Sequence, residues 1–233
     1  VFTTRVGGGF GAKQEMLTED LVTLAALTVR RPVQLEFSRA DQFTVAPCRH
    51  PMEVSVTAAA TADGTLTALT LDVLSDAGAY GNHSPGVLHH STDSIALYRC
   101  AAKRVEARAV YTNTIPSGAF RGYGVGQTGF AVESALDELA HRLHIDPLEF
   151  RRRNVVVPGD PFVAAHVLDA DLLFGSYGLD QCLDLVDEAL AEPGSPVPDG
   201  WQVGVGVAIG MNATVPPRGH VSDASITALP GAR

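Results

Sequence analysis

Two glycine-rich segments, Gly7-Gly8-Gly9-Phe10-Gly11 and Gly118-Ala119-Phe120-Arg121-Gly122-Tyr123-Gly124-Val125-Gly126, each run into a helical pattern. They set the limits on what this 233-residue chain can build. Glycine lets backbone N–H groups come close to a ligand, and a helix opening just beyond adds a positive dipole end that favours anions. Lys13 adds charge at the first segment. At the second, Arg121 offers a planar fork of donors, and Phe120 and Tyr123 offer flat apolar walls. A tight structural turn explains one such loop about as well as a ligand site does, but two of the same build weaken that explanation. The first segment is not a phosphate-binding P-loop, because glycine does not precede Lys13 and no Ser or Thr follows it. Gly7-x-Gly9-x-x-Ala12 does meet a loose dinucleotide-binding fingerprint, with Glu36 ending the next predicted strand. A Rossmann-type domain is therefore the competing reading.

Periodicity fills in the rest. A strand is expected over 1–6, a helix over 13–31 ending in Arg30-Arg31-Pro32, and a strand over 33–37. Residues 52–60 alternate with Val54, Val56, Ala58 and Ala60 on one face. Asp63-Gly64 is a hairpin turn, and 66–74 is the return strand. That hairpin predicts antiparallel pairing and argues against a run of parallel Rossmann units. Residues 75–94 read as a long loop, 105–111 as a strand and 115–126 as turns. Helices follow over 130–143, from Asp146-Pro147-Leu148-Glu149, and over 179–190. Aspartate caps the second of these, proline suits its first turn and Glu149 is placed to bond back. Alternation returns at 203–209 and again in the tail, 221–233.

The remaining chemistry is sparse. The net charge of −9 disfavours nucleic acid, and no apolar run approaches the roughly 20 residues of a membrane span. Cys48, Cys100 and Cys182 form no C-x-x-C pair, so the chain assembles no zinc or iron–sulfur site from cysteine, and their odd count suits a reducing, cytoplasmic compartment. His83, His89 and His90 share one segment and His141 and His144 another, without carboxylates at metal-ligand spacing. Arg49-His50-Pro51 opens a strand, where Arg49 either meets a substrate carbonyl or pairs with a surface acid.

Taken together, Val6-Gly-Gly-Gly-Phe-Gly-Ala-Lys13, Arg49-His-Pro51, Asp76-Ala-Gly-Ala-Tyr80, Thr112-Asn-Thr-Ile-Pro116 leading into Ala119-Phe-Arg-Gly-Tyr-Gly124, and Asp146-Pro-Leu-Glu-Phe-Arg-Arg-Arg-Asn154 resemble the molybdenum-binding subunit of the xanthine dehydrogenase and aldehyde oxidase family. The resemblance is nearly continuous to about residue 160. It implies an α+β fold of mixed sheets and packed amphipathic helices, part of a multi-domain subunit. Residues 1–160 would be most of a first molybdopterin-binding domain, 161–199 a helix and Pro/Gly linker, and 200–233 the start of a second domain.

The resemblance also implies molybdenum–molybdopterin held by Gly9, Phe10, Gly11, Phe120 and Arg121, with Gln14, Arg49 and Tyr123 facing substrate. The implied reaction is hydroxylation of an N-heterocycle (purine-like) or an aldehyde with water-derived oxygen, hydride passing to the metal centre. Electrons would leave through iron–sulfur clusters and FAD on partner subunits or domains, in an assembly that is a dimer. Two departures stand out. Gln14 occupies a position where purine-oxidising members carry glutamate. The family's catalytic base is expected beyond Arg233, so these residues alone would be inactive. A non-catalytic remnant or binding module is the other alternative.

Overall fold

The computed structural model describes residues 1–3, 5–161, 176–192, 194, 196–211 and 223–225. Its centre is a mixed sheet in the order β1-β2-β3, made of β1 (Met52–Ala60), β2 (Leu66–Gly78) and β3 (Ala102–Tyr111). The predicted hairpin forms. β1 and β2 are antiparallel, with Val54 opposite Val73, and Gly64 turns the corner with φ 87° and its N–H on Thr61 O at 2.8 Å. β3 lies parallel to β2, with Val105 opposite Leu71. Alternating side chains of β2 enter the core, and Leu69, Leu71 and Val73 are buried. Between Leu66 and Leu69 the alternation slips, because Ala59 faces Ala68 while Ala60 faces Leu66. Thr67 is the extra residue of a bulge, which brings Leu66 back to the buried face.

The helices close over this sheet. α4 (Val125–Arg142) presses Val132, Leu136 and Ala140 into the core beside Ile95, Tyr98 and Phe150. It begins five residues before the apolar periodicity does, directly from Gly124. α5 (Pro147–Asn154) starts as predicted, with Asp146 accepting from Leu148 N–H at 2.8 Å and Glu149 N–H at 3.0 Å. Glu149 does not bond back to the cap. Its carboxylate takes Arg153 one turn later at 3.0 Å, a charged partner on its own face of the helix. α6 (Leu179–Ala191) is tethered by Arg152 to Asp184 and Asp187, and its Leu183 is buried.

Two polar groups inside the core fix α5. Arg151 is fully buried and donates Nε to Glu133 Oε2 at 2.8 Å and Nη1 to Asp137 Oδ1 at 2.7 Å. Glu133 also accepts from the Tyr98 hydroxyl and from Ile209 N–H. Burial first, and then the Glu133 charge, push the Tyr98 phenol far above its ordinary pKa. Asn154 clamps the hairpin, accepting from Leu66 N–H at 2.9 Å and donating to Gly64 O at 2.8 Å.

Several expectations are corrected. Residues 75–94 are not one loop. β2 continues to Gly78 because Ser75 and Asp76 find partners in β3, and α3 (Ser84–Ser91) and a 3-10 turn (Thr92–Ile95) follow. Their small residues and histidines carry no apolar period, and burial of Val87, Ser91 and Ile95 replaces it. The alternating stretches 1–6, 33–37 and 203–209 are not strands among the described residues, since none finds a neighbour to share a ladder. Val203 and Val205 are exposed, while Ile209 is held by Glu133. α1 (Glu19–Val29) starts later than predicted and buries nothing, leaving Leu21, Leu24 and Leu27 uncovered. α2 (Arg39–Thr44) was not foreseen. Ser38 caps it in a box with Asp41. The tail pattern at 221–233 lies outside the described residues except for 223–225. A helix flanked by no strands among the described residues and an antiparallel β1–β2 pair do not make a Rossmann unit.

Asn154→Ala removes the side chain that satisfies two buried backbone groups of the hairpin. Urea unfolding is expected to show a loss of about 2–4 kcal/mol, and a loss under about 0.5 kcal/mol would show that the clamp does not hold the turn.

Candidate functional site between the two glycine loops

The first glycine loop folds into two consecutive turns, closed by Ala12 N–H on Gly9 O at 2.9 Å and Gln14 N–H on Gly11 O at 3.2 Å. The N–H groups of Gly9, Phe10 and Gly11 make no hydrogen bond to the described residues. The second loop hangs from the sheet. Ser117 N–H reaches Ala77 O, Cys48 N–H reaches Pro116 O and Gly118 N–H reaches Cys48 O, at 2.9–3.1 Å. Asp76 braces the same end of β2, accepting from Thr112 Oγ1 at 2.7 Å and Gly78 N–H at 2.8 Å. Those bonds hold its carboxyl below the usual range, the Thr112 hydroxyl first.

The two loops meet backbone to backbone. A Cβ on Gly11, whose φ is 89°, would lie 3.1 Å from both Ala119 C and Phe120 N. Only glycine permits that approach in that conformation. The Arg121 guanidinium lies 5.8 Å from the centroid of the Phe10 ring, within cation–π reach. Phe10 (φ 50°) and Tyr123 (φ 46°) both occupy the left-handed region, a cost the surroundings must offset.

Arg49 completes the junction. Its guanidinium stacks 4.5 Å from the Phe120 centroid and donates to Arg121 O at 2.6 Å and Gln127 Oε1 at 3.2 Å. It pairs with no acid among the described residues. Gln127 in turn donates to His50 O at 3.1 Å. Beside this junction opens a concavity of about 650 Å³, lined by Arg49, Arg121, Gln127, Met52, Val54 and Phe130. Two guanidiniums and no carboxylate line it, so it favours an anionic occupant.

The structure thus brings Gly11, Phe10, Phe120, Arg121 and Arg49 together, with Gly9 in the same turn as Gly11. Gln14 is exposed, off the junction. Tyr123 turns away from the concavity, its hydroxyl 2.8 Å from His83 Nδ1 and its ring edge-on to His90. Gln127 and Glu15 were not singled out by sequence reasoning, and His50 and His83 were named only within the Arg49-His50-Pro51 motif and as a weighed metal ligand, not for the links they make here. Each joins segments 34 to 104 residues apart, and no local spacing signals such a link. Among the described residues no cluster of His, Cys, Asp or Glu could hold a metal ion, and the three cysteines are free.

Comparison with known proteins gives a consistent picture. The profile of the molybdopterin cofactor-binding domain matches residues 1–155. The probable hypoxanthine oxidase XdhD of Escherichia coli (strain K12) is 40% identical over 160 residues, 68% of this chain and 17% of that protein. The putative xanthine dehydrogenase molybdenum-binding subunit XdhA of the same organism is 39% identical over 183 residues, 77% of this chain and 23% of that one. The aldehyde oxidoreductase structure from Desulfovibrio gigas superposes with a TM-score of 0.70 at 34% identity, over 78% of this chain and 20% of that one. The chain spans about a fifth of the length of these relatives.

Gly11→Ala forces a strained φ and a clash with the opposing backbone, and is expected to cost about 1–3 kcal/mol of stability, with faster protease cleavage in both loops. Cleavage confined to the first loop would show that the loops do not depend on each other. A second expectation concerns pH. His50 is buried, with Nε2 2.8 Å from Ser84 Oγ. Burial holds its pKa below the ordinary histidine value, against the opposing pull of the Gly118 backbone and the Asp76 and Glu15 charges. On acidification the unfolded chain takes up a proton before the folded one does. Stability therefore falls as pH drops below roughly 6.5, until the folded-state pKa is reached. Unfolding curves at stepped pH should show this slope, reduced in His50→Gln; an unchanged slope in that variant would assign it elsewhere.

Proposed function

Because this chain belongs to the molybdopterin cofactor-binding domain family, we propose that it forms one wall of the active site of a molybdenum hydroxylase acting on an N-heterocycle, purine-like, or on an aldehyde. The observation that carries this reading is the convergence of the two glycine loops, Gly11 against Ala119 and Phe120 and Phe10 against Arg121, beside a cationic concavity. The residues present fit an anionic pterin–dithiolene group. The N–H groups of Gly9, Phe10 and Gly11 are left over by the turns, and Arg121 adds a guanidinium at the same junction. Gly9, Phe10, Gly11, Phe120 and Arg121 are the proposed contacts. When bound, molybdenum–molybdopterin supplies the two-electron oxidant and the metal-activated water.

The chain's own residues bind and orient. Phe120 and the Arg121 carbonyl hold the Arg49 guanidinium, which presents its charge to an electronegative substrate atom such as a ring nitrogen or carbonyl oxygen. Gln127 fixes the tilt of that guanidinium and is itself anchored on the His50 carbonyl. Gln14, exposed off the junction, offers a neutral amide where purine-oxidising relatives are expected to offer a carboxylate, and Tyr123, turned from the Arg49 concavity toward His83, is proposed to meet substrate from the α3 side. No carboxylate lines the concavity among the described residues, so we assign the general base to a residue other than those that line it.

We assign 1–160 to a first molybdopterin-binding domain, 161–199 to a linker and 200–233 to the opening of a second. The iron–sulfur and flavin components that take the electrons are placed on other domains or subunits, in a dimeric assembly. Relatives described as molybdenum-binding or large molybdopterin subunits support that division of labour. No helix among the described residues is long and apolar enough to cross a membrane, and the free cysteines support a cytoplasmic location.

The test is metal and pterin analysis of the full-length protein with turnover on purines, quinoline-type heterocycles and aldehydes. Stoichiometric molybdenum and pterin are expected, falling roughly tenfold or more in Arg121→Ala. A folded wild-type protein without molybdenum would overturn the reading in favour of a non-catalytic remnant.

A further inference from the structure

Gln14 faces solvent, but its neighbour Glu15 is turned inward, with a side chain only 6% exposed. Glu15 Oε1 accepts from Ala119 N–H at 3.3 Å and packs against the bare Cα of Gly118, where a side chain would collide with it. The same oxygen lies 4.0 Å from His83 Nε2. Oε2 is buried with no hydrogen-bond partner. On its other side, the His83 ring places Nδ1 2.8 Å from the Tyr123 hydroxyl. A carboxylate, an imidazole and a phenol thus run in sequence from the first glycine loop, past the start of α3, to the second glycine loop.

We propose that Glu15 is a positioning residue for the second glycine loop, holding Ala119 N–H directly and orienting the Tyr123 ring through His83. The chemistry favours one arrangement. A buried carboxylate needs donors or positive charge beside it. Here it has one backbone N–H and an imidazole edge, too far for a hydrogen bond but close enough for attraction. With Nε2 carrying the proton toward Glu15, Nδ1 is the acceptor and the Tyr123 hydroxyl donates. That donation draws the phenol toward α3 and stabilises a tyrosine whose φ of 46° is otherwise disfavoured. Ala119 and Phe120 are the residues whose backbone Gly11 touches. A single carboxylate therefore sets both the separation of the loops and the direction of the aromatic side chain.

The groups facing Tyr123 are Glu15 from the first loop, His83 ahead of α3, and His90 within it, paired with Asp93 at 3.2 Å. His50 and Asp76 lie within electrostatic reach of the His83 and Glu15 end. Burial first, and then the Glu15 charge, raise the Tyr123 phenol above its ordinary pKa.

The experiment uses the full-length protein with Glu15→Gln, Glu15→Ala and His83→Asn. Hydrogen exchange is read at the Ala119 amide, and the Tyr123 phenol is titrated by carbon NMR, assigned with Tyr123→Phe. Glu15→Ala should speed Ala119 exchange by roughly tenfold or more, and Glu15→Gln should restore protection because its amide oxygen accepts the same bond. Both should lower the Tyr123 titration, since both remove the charge. His83→Asn should shift the Tyr123 signals while leaving Ala119 exchange as in wild type. Exchange and titration unchanged in Glu15→Ala, no rescue by Glu15→Gln, or unmoved Tyr123 signals in His83→Asn would each overturn the proposal. The proposal deepens the site of the function proposed above and so rests on that reading. If exchange and titration respond as expected but the wild type holds no molybdenum, that reading fails and the role of Glu15 stands.

Discussion

The structure around the site depends on one close approach, the backbone of Gly11 lying against the backbone of Ala119 and Phe120. Any side chain at Gly11 would push the loops apart, and the contacts that give the site its character sit on either side of that point. Phe10 meets Arg121 across it, Glu15 reaches Ala119 behind it, and Arg49 closes over Phe120 and the Arg121 carbonyl beside it. Loops that carry ligand sites work when a rigid scaffold fixes their ends, and here the second loop is pinned to β2 through Ala77 and to Cys48 just ahead of β1. The first loop has little such support of its own, since α1 buries nothing. Its placement comes from the second loop and from Glu15.

The scaffold beneath is unusual in how much of it is held by buried polar groups. Arg151 and Asn154, both in the arginine-rich α5, look in sequence like a solvated helix end. They are instead a fully buried cation with two carboxylate partners and an amide that replaces missing backbone partners in the hairpin. Breaking a buried ion pair by removing one partner strands the other in low dielectric. The same network recruits Ile209, so residues near the end of the described chain are fastened to α4 through Glu133.

Much of this was legible in the residues. Strong period-two alternation with Asp63-Gly64 between its halves located β1 and β2, because both faces of that hairpin meet different environments. Asp146-Pro147 located α5, because a cap and a first-turn proline act locally. The same alternation misled at 33–37 and 203–209, where no partner strand adjoins among the described residues. α3 went unread because its burial is of serine, valine and small residues rather than of an apolar stripe. At the site, the glycine loops, Phe10, Phe120, Arg121 and Arg49 were visible as residue types suited to anions and flat ligands.

What the amino-acid sequence determined by itself is therefore the set of local choices: where the chain turns, where helices begin, which loops have glycine where a side chain would obstruct, and the family to which those loops belong. Only the tertiary structure decided which loop meets which, that Glu15 rather than Gln14 points inward, and that the Tyr123 hydroxyl lies against His83 Nδ1. The physical reason is range. Turn and cap preferences are satisfied within a few residues, whereas a hydrogen bond across 104 positions, such as Glu15 to Ala119, exists only after the sheet has carried the two ends together.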